Sequence, residues 1–484
     1  MSNILTNIIF LPLFIAVILG VLRAPLKLLK VGAFFSSILV LLLVVFVIID
    51  FDPKGNMQLI TYLPWIQSAG IFYYIGVDAL SLVVLTLIVL LMPPLYLYMY
   101  HEKRKGYWYN MMILQTGVTG AVLSLDLMLF YLFWETMLLP IFIMIGMYGS
   151  GMHQYNSMKI TLMTILGSMS MLFSILYIGY IYFETYGIWS FSLDKLSLLS
   201  FNPQTSLWLT AGFLLAFVIK IPLVGFHTWM APAYGSAPTP AVVIMSSIMA
   251  KLGIYGIWRF GFTLFEETLL FYTPFIITIA LIGLLYYAIR AVSENNLRRM
   301  FAYSSGSHLS LIALGLFVNN IYAWGGSLYF IATHALASAG MFIMIGLTYQ
   351  RFRTLDINSL GGIAQKAPLF TFFFAFFALS IAGIPGTGGF VAELLIIIGA
   401  FKENFILGFL TSFTMLSAMI YIFWMLQRVL FGQPNNSTPF ADLNIKETLM
   451  LLPLVILLIL TGVVPSLFTP YFEPYLTQLL GVAS

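Results

Sequence analysis

The 484-residue chain contains no cysteine, which excludes disulfides, thiolate-ligated iron–sulfur clusters and cysteine-based zinc sites. Any redox chemistry that the protein serves must take place in other chains. Charge is scarce too: Asp, Glu, Lys and Arg make up 8% of the residues, against 61% apolar. A soluble fold of that composition would need a core far larger than this chain can enclose. The sequence is that of an integral membrane protein. At about 20 apolar residues per crossing, the apolar content suffices for about fourteen spans and leaves no room for an extramembrane catalytic domain.

The first apolar run, from Ile4 to Leu22, has no basic residue before it and no Ala-x-Ala cleavage pattern, and Arg23, Lys27 and Lys30 follow it. It reads as a retained helix rather than a signal peptide. Apolar runs bounded by charge, Pro or Gly predict an all-α membrane protein, a single polytopic domain over 1–484. The predicted spans are 3–22, 31–49, 79–99, 109–125, 127–148, 160–183, 206–224, 239–260, 270–292, 299–317, 322–348, 368–401 with a break at 383–389, 404–430 and 447–464. Residues 184–204 and 465–484 read as interfacial amphipathic segments.

The positive-inside rule tests that count, because a wrong number of spans would scramble the alternation of Lys and Arg between loops. Fifteen of the 21 basic residues fall on alternate loops and adjoining span ends, beginning with Arg23, Lys27 and Lys30. The other set carries only Lys54, Lys195, Arg259 and Lys402, while Lys220 and Lys251 lie inside spans. The loop holding Arg23 is therefore expected to face the cytoplasm, with both termini on the non-cytoplasmic side of the cell inner (plasma) membrane. Acidic residues lean the opposite way, and only Glu135 and Glu393 lie within spans. The net charge of +4 is thus a topology signal, and no nucleic-acid partner is needed to explain it.

Two span interruptions share a pattern: Lys220-Ile-Pro222-Leu-Val-Gly225-Phe226 and Gly383-Ile-Pro385-Gly-Thr-Gly-Gly389-Phe390. They are five predicted spans apart, and an odd offset turns the second copy upside down in the bilayer. That is the signature of inverted repeats with broken helices near the midplane, here 109–260 and 270–430, flanked by 1–99 and 447–484. A proline inside a span frees a carbonyl that must be satisfied in a polar interior, so the breaks at Pro222 and Pro385 point to internal cavities.

Glu135 lies about eight residues into its span, roughly 12 Å deep at 1.5 Å per residue. Lys251 is close to mid-bilayer by the same arithmetic, Lys220 precedes the first break and Glu393 follows the second. Four such residues cost on the order of 10 kcal/mol before any pairing. Static ion pairs between helices are one reading. The other is proton transfer, because burial disfavours the charged form of Glu and Lys and pairing favours it. Drawing a Glu–Lys pair apart from about 4 to 8 Å weakens it by roughly 2 kcal/mol at an effective dielectric near 20. A small helix movement would then eject or recruit a proton. His308 and His334 lie inside the tenth and eleventh spans, in sequence between the two lysines and Glu393, and read either as satisfied core histidines or as relay members. No two His have helical metal-ligand spacing. The glycines at 383–389 follow an apolar helix rather than a strand and fail the dinucleotide pattern. Ser304, Ser305 and Ser307 read as polar packing rather than as nucleophiles.

Several motifs resemble one family. They are Tyr131-Leu-Phe-Trp-Glu135-Thr-Met-Leu-Leu-Pro140, the stretch from Lys220-Ile-Pro through His227-Thr-Trp229 to Pro240, Lys251-Leu-Gly-Ile-Tyr-Gly, Arg298 through Tyr-Ser-Ser-Gly-Ser to His308, and Gly383 through Pro385 to Glu393. Together they resemble the antiporter-like, proton-translocating membrane subunits of respiratory complex I, and most closely the subunit M type of NADH-quinone oxidoreductase. The resemblance implies fourteen helices with two inverted five-helix repeats. It implies Glu135 and Lys220 as a first half-channel pair, Lys251 as central proton carrier, His308 and His334 as the connecting axis, and Glu393 as the exit residue. Pro222 and Pro385 resemble the family's helix breaks. Glu393 favours the M type, because the L and N types and antiporter subunits resemble one another in having Lys there. Arg298 departs from the Lys common in relatives and stays charged in almost any environment, which puts a proton-carrying role there in doubt. The resemblance implies no cofactor in this chain, with NADH, flavin, iron–sulfur clusters and quinone in partner subunits. The partners it implies are L- and N-type membrane subunits and a peripheral redox arm. A multi-subunit sodium/proton antiporter component or a membrane-bound hydrogenase-type subunit stays open as an alternative.

Overall fold

A computed structural model describes residues 3–433 and 440–480. Residues 481–484 of the expected C-terminal amphipathic segment lie outside it. Among the described residues, ten helices are long and apolar enough to cross a membrane, from Ile4–Val21 and Leu26–Asp50 to Phe405–Val429 and Ile445–Val463. Lys105–Leu123, Pro203–Lys220, Pro368–Ile381 and Gly388–Glu403 are further helices over predicted spans, shorter or more polar than those ten. The expected spans 239–260 and 270–292 are two helical stretches that meet at a kink at Phe265, where φ is −141° and ψ 34°, and the first carries π-turns at Met245–Met249 and Ile257–Gly261.

Both proline-containing interruptions are present. The helix Pro203–Lys220 stops two residues before Pro222, and helix resumes at Met230–Ser236. Pro368–Ile381 stops ahead of Pro385, and Gly388–Glu403 follows. The chain forms two compact units, residues 1–221 with 252–274, and residues 222–251 with 275–484.

The first unit holds an element that the all-α expectation omitted. Gln58–Ile66 pairs antiparallel with Ile71–Val77. The run Leu-Ile-Thr-Tyr-Leu-Pro-Trp-Ile is apolar enough to hide among helical segments, but it is rich in β-branched and aromatic residues. Gly70, at φ +68°, supplies the left-handed residue between the strands. Tyr62 stacks on Phe72 across the pair at 4.7 Å. Two inter-span connections are laced onto this hairpin: Leu125 N–H donates to Tyr74 O at 2.8 Å and Leu193 N–H to Leu125 O at 2.9 Å. Asp126 fastens the assembly, accepting from the N–H groups of Phe72 (3.2 Å), Met128 (3.0 Å) and Leu129 (3.1 Å). It caps the helix Leu127–Thr136, which carries Glu135, and ties that helix to the hairpin.

Arg259, counted in the sequence with the charges of loops and span ends, pairs with Asp78. Asp78 is 3% and Arg259 6% exposed. Asp78 N-caps the helix Ala79–Tyr98 in a reciprocal capping box with Ser81. Arg259 also donates to Tyr255 OH at 3.2 Å, and Tyr255 donates to Val122 O at 2.7 Å. An arginine cannot shed its charge, so an arginine inside the protein requires such partners.

Arg259→Met leaves Asp78 buried and unpaired, at an expected cost of about 3–5 kcal/mol. The double variant Asp78→Asn/Arg259→Met, which keeps a capping side chain, should recover most of that loss in thermal unfolding of the detergent-solubilised protein.

Burial raises the Asp126 carboxyl to about 6, against the opposing pull of its three N–H donors. In the unfolded chain it titrates near 4. Its contribution therefore favours the fold fully below about pH 4, falls between about pH 4 and 6, and stays roughly 3 kcal/mol lower above that window. Asp126→Asn should abolish this component, so the stability difference between the two proteins should vary across pH 4 to 6 and be flat above pH 7.

Candidate functional site

In the second unit, the geometry starts from the π-turn Met245–Met249. Residues five apart in an α-helix point about 140° away from each other, so Ser246 and Lys251 would ordinarily diverge. One π-turn inserts the extra residue that realigns them and frees a carbonyl. Lys251 Nζ donates to that carbonyl, Ser246 O, at 2.6 Å. The same Nζ lies 2.8 Å from His334 Nδ1, on the helix Ile321–Phe352.

From His334 the row continues by ring contact. Its ring centroid is 5.2 Å from that of His308, on the helix Leu297–Phe317, and both rings pack on Phe330. His308 Nε2 is 3.5 Å from Glu393 Oε1, a polar contact without the geometry of an aligned hydrogen bond, and an ion pair only when the imidazole is protonated. Lys251, His308 and Glu393 are 0% exposed and His334 2%. Four of the six titratable residues singled out in the sequence thus form one Lys–His–His–Glu row on separate helical segments. Neither His334 Nε2 nor either carboxylate oxygen of Glu393 has a hydrogen-bond partner in the structure. Buried polar atoms are seldom left so.

The second break shapes the Glu393 end. Gly383 has φ +71°, and a Cβ there would come within 3.1 Å of Glu393 Oε2. A side chain at 383 would therefore be strained and would crowd the carboxylate. At the first break the freed Pro222 carbonyl accepts a hydrogen bond from Tyr287 OH. His227 sits against the same tyrosine and 3.3 Å from Tyr286 OH.

Glu135 and Lys220 belong to the first unit. Lys220 is buried, and its Nζ lies over the Trp134 ring at 4.8 Å, an arrangement that offsets part of the desolvation of an ammonium. Glu135 adjoins that tryptophan but makes no ion pair with Lys220 within 4.0 Å. It lines a groove of about 480 Å³ with Trp65, Ile71, Met128 and Tyr131. The glycines of Lys251-Leu-Gly253-Ile-Tyr-Gly256 serve packing: a Cβ at Gly256 would strike the Phe217 ring at 2.3 Å, and one at Gly253 would come within 2.8 Å of Phe217 O.

Sequence reasoning missed Trp134 as the support of Lys220 and the π-turn that aims Lys251. The aromatic beside Glu135 was a visible signal, whereas no residue pattern marks a π-turn. Of the serines near His308, Ser304 Oγ lies 2.9 Å from Tyr421 OH and Ser307 donates to Leu284 O. Arg298 is buried and donates to Ala237 O at 2.8 Å and Thr239 Oγ1 at 3.3 Å, which gives it a fixed structural task. Among the described residues, no three His, Asp or Glu side chains gather as a metal site.

Residues 124–413 match the family described as NADH:quinone oxidoreductase/Mrp antiporter, transmembrane. The NADH-ubiquinone oxidoreductase chain 4 of Marchantia polymorpha is 33% identical over 472 residues, covering 96% of this chain and 94% of the relative. NADH-quinone oxidoreductase subunit M of Rhodobacter capsulatus is 31% identical over 506 residues, covering 99% and 97%. A chain of the respiratory complex I from Thermus thermophilus with bound NADH superposes with a TM-score of 0.90 at 25% identity, over 99% of both chains.

Glu393→Met removes a buried carboxylate whose oxygens lack hydrogen bonds, so thermal stability should hold or rise by about 1–3 kcal/mol. A loss as large as that expected for Arg259→Met would mean that His308 and Glu393 form a structural pair.

Proposed function

The chain belongs to the NADH:quinone oxidoreductase/Mrp antiporter transmembrane family, and on that premise we propose that it is a proton-translocating membrane subunit of a complex I-type NADH-quinone oxidoreductase, of the subunit M kind. The observation that carries this is the row Lys251–His334–His308–Glu393. Its members touch in series, they are buried, and each exchanges a proton at an accessible free-energy cost once its neighbours change charge. A neutral Lys251 amine takes up a proton. Its ammonium then donates to His334 Nδ1, while the imidazole releases the proton on Nε2 toward His308 and Glu393, the exit residue. The orphaned nitrogen and carboxylate oxygens suit this transfer, because a group fully saturated with hydrogen bonds would hold its proton in place.

In this proposal the chain crosses the plasma membrane fourteen times, with inverted repeats at 109–260 and 270–430 and both termini on the non-cytoplasmic side. Glu135 and Lys220 form the first half-channel and control whether Lys251 is charged. With no cysteine for cluster ligation, the chain leaves NADH, flavin, iron–sulfur clusters and quinone to a peripheral redox arm and adjoining subunits. L- and N-type antiporter-like chains are its membrane partners. The family also embraces Mrp antiporters. Glu393 in place of the lysine expected there, with near-full-length similarity to subunit M and chain 4 proteins, favours the oxidoreductase.

Lys251→Ala in the assembled complex should lower NADH-driven proton pumping about tenfold or more while the complex still assembles. Pumping at the unmodified rate would overturn the proposal. Co-purification with sodium/proton antiporter chains in place of NADH-oxidising subunits would move the protein to the alternative.

A further inference from the structure

Six of the 21 basic residues fall at two turns of the first unit: Arg23, Lys27 and Lys30 where the first two helices meet, and Lys103, Arg104 and Lys105 ahead of the helix Lys105–Leu123. Glu102 is the single acid among them. A charge that only orients a span needs to lie on the right side of the membrane. These are also gathered and pinned. Lys30 Nζ donates to Tyr100 O and lies over the Tyr100 and Trp108 rings, at 5.1 and 5.8 Å. Lys105 Nζ donates to Ala24 O at 2.6 Å, which ties the second turn to the first. Arg104 grips Glu102 with two nitrogens, at 2.8 and 2.7 Å, so the one carboxylate is already engaged. Arg23, Lys27 and Lys103 are exposed and, among the described residues, form no ion pair.

Two further features point to a ligand for these three cations. Arg23 has φ +49°. Ala24 N–H donates to Leu19 O at 2.9 Å and Arg23 N–H to Gly20 O at 3.0 Å, a helix ending in which glycine is the usual left-handed residue. The arginine is therefore kept against the preference of its backbone. Lys27, in turn, heads an apolar stripe. Leu28, Val31, Phe35 and Leu42 are 48–60% exposed, and at 100° per residue they lie with Lys27 on one face of the helix Leu26–Asp50, opposite the buried Leu29, Ala33, Val40 and Val44. From Lys27 to Leu42 the stripe is about 22 Å long, enough for one leaflet of a hydrocarbon core about 30 Å thick.

We propose that these two turns bind the headgroup of an anionic phospholipid, its phosphate neutralised by Arg23, Lys27 and Lys103 and an acyl chain lying along Leu28, Val31, Phe35 and Leu42. Clustered cations repel one another, and with Glu102 taken by Arg104 the compensating anion has to come from outside the chain. A neighbouring polytopic subunit is a poor source, because its loops on that side of the membrane are basic as well. A lipid phosphate stands at this depth, with its chains already aligned to the stripe, and the exposed Tyr100 supplies an aromatic ring at headgroup level.

The test uses the intact complex reconstituted in phosphatidylcholine liposomes. Photoactivatable phosphatidylglycerol, reactive on its acyl chain, should label residues 26–50 in preference to photoactivatable phosphatidylcholine with the same chains, and added inorganic phosphate should leave that preference unchanged. Each cation removed should lower the preference about fivefold. Arg23→Gly separates binding from folding, since glycine suits φ +49°: thermal stability should hold or rise while labelling falls. Lys103→Gln, on the other turn, should act in the same direction, and Arg353→Gln, an exposed cation of another basic loop, should have no effect on labelling of 26–50. The site is overturned if both lipids label equally, if Arg23→Gly and Lys103→Gln keep the full preference, or if Arg353→Gln lowers it as much, which would mark an effect of net charge. Loss of labelling with inorganic phosphate would make it a site for free anions. A photoreactive side chain at position 35 that cross-links to a neighbouring subunit in place of lipid would also overturn it.

Discussion

A charge in the interior of a membrane protein has no water to fall back on, and Lys251 is the residue on which that constraint bears hardest. Its Nζ has one backbone carbonyl and one imidazole within reach, where an ammonium has three protons to satisfy. Both partners are fixed groups, one on its own helix and one on a neighbouring helix. Local features set these contacts. The π-turn supplies the carbonyl, and the long helix Ile321–Phe352 presents His334.

The broken helices answer the same constraint for the backbone. Interrupting a span exposes carbonyl and amide groups that lipid cannot satisfy. The first break meets this with a tyrosine hydroxyl on Pro222, and the second uses left-handed glycines to turn within a few residues. Each break lies near a titratable side chain: Lys220 ends the helix before the first, and Glu393 lies in the helix that follows the second. Backbone irregularity and charge occur together because each needs the polar interior that the other helps to form.

Much of this was legible in the sequence, for identifiable reasons. A charge within an apolar run is conspicuous, so Glu135, Lys220, Lys251 and Glu393 stand out, and Ile-Pro followed by glycine marks an interruption wherever it falls. What stayed hidden depends on three-dimensional neighbours. The hairpin 58–77 falls between predicted spans, and its strands are fixed by pairing with each other, which no pattern within one segment marks. Arg259 sits at the end of an apolar run, where an orienting charge would also sit, and only the fold brings it to Asp78. No propensity announces the π-turn, since Met-Ser-Ser-Ile-Met suits an ordinary helix equally well.

Asp78–Arg259 and the Lys251 row place two treatments of buried charge in one chain, and the contrast separates holding from exchange. Arg259 cannot deprotonate, its guanidinium bonds both Asp78 and Tyr255, and Asp78 in turn caps a helix. That arrangement ties three helices together, and its free energy goes into fixing them. The row uses residues that can change protonation state, five of their buried polar atoms have no hydrogen-bond partner among the described residues, and His308 Nε2 stands 3.5 Å from Glu393 Oε1. If buried charge served only as glue here, both sites would tend toward the first pattern, because partners for the orphaned atoms would add stability. The row lacks such protein partners, which suits the proton exchange proposed for it.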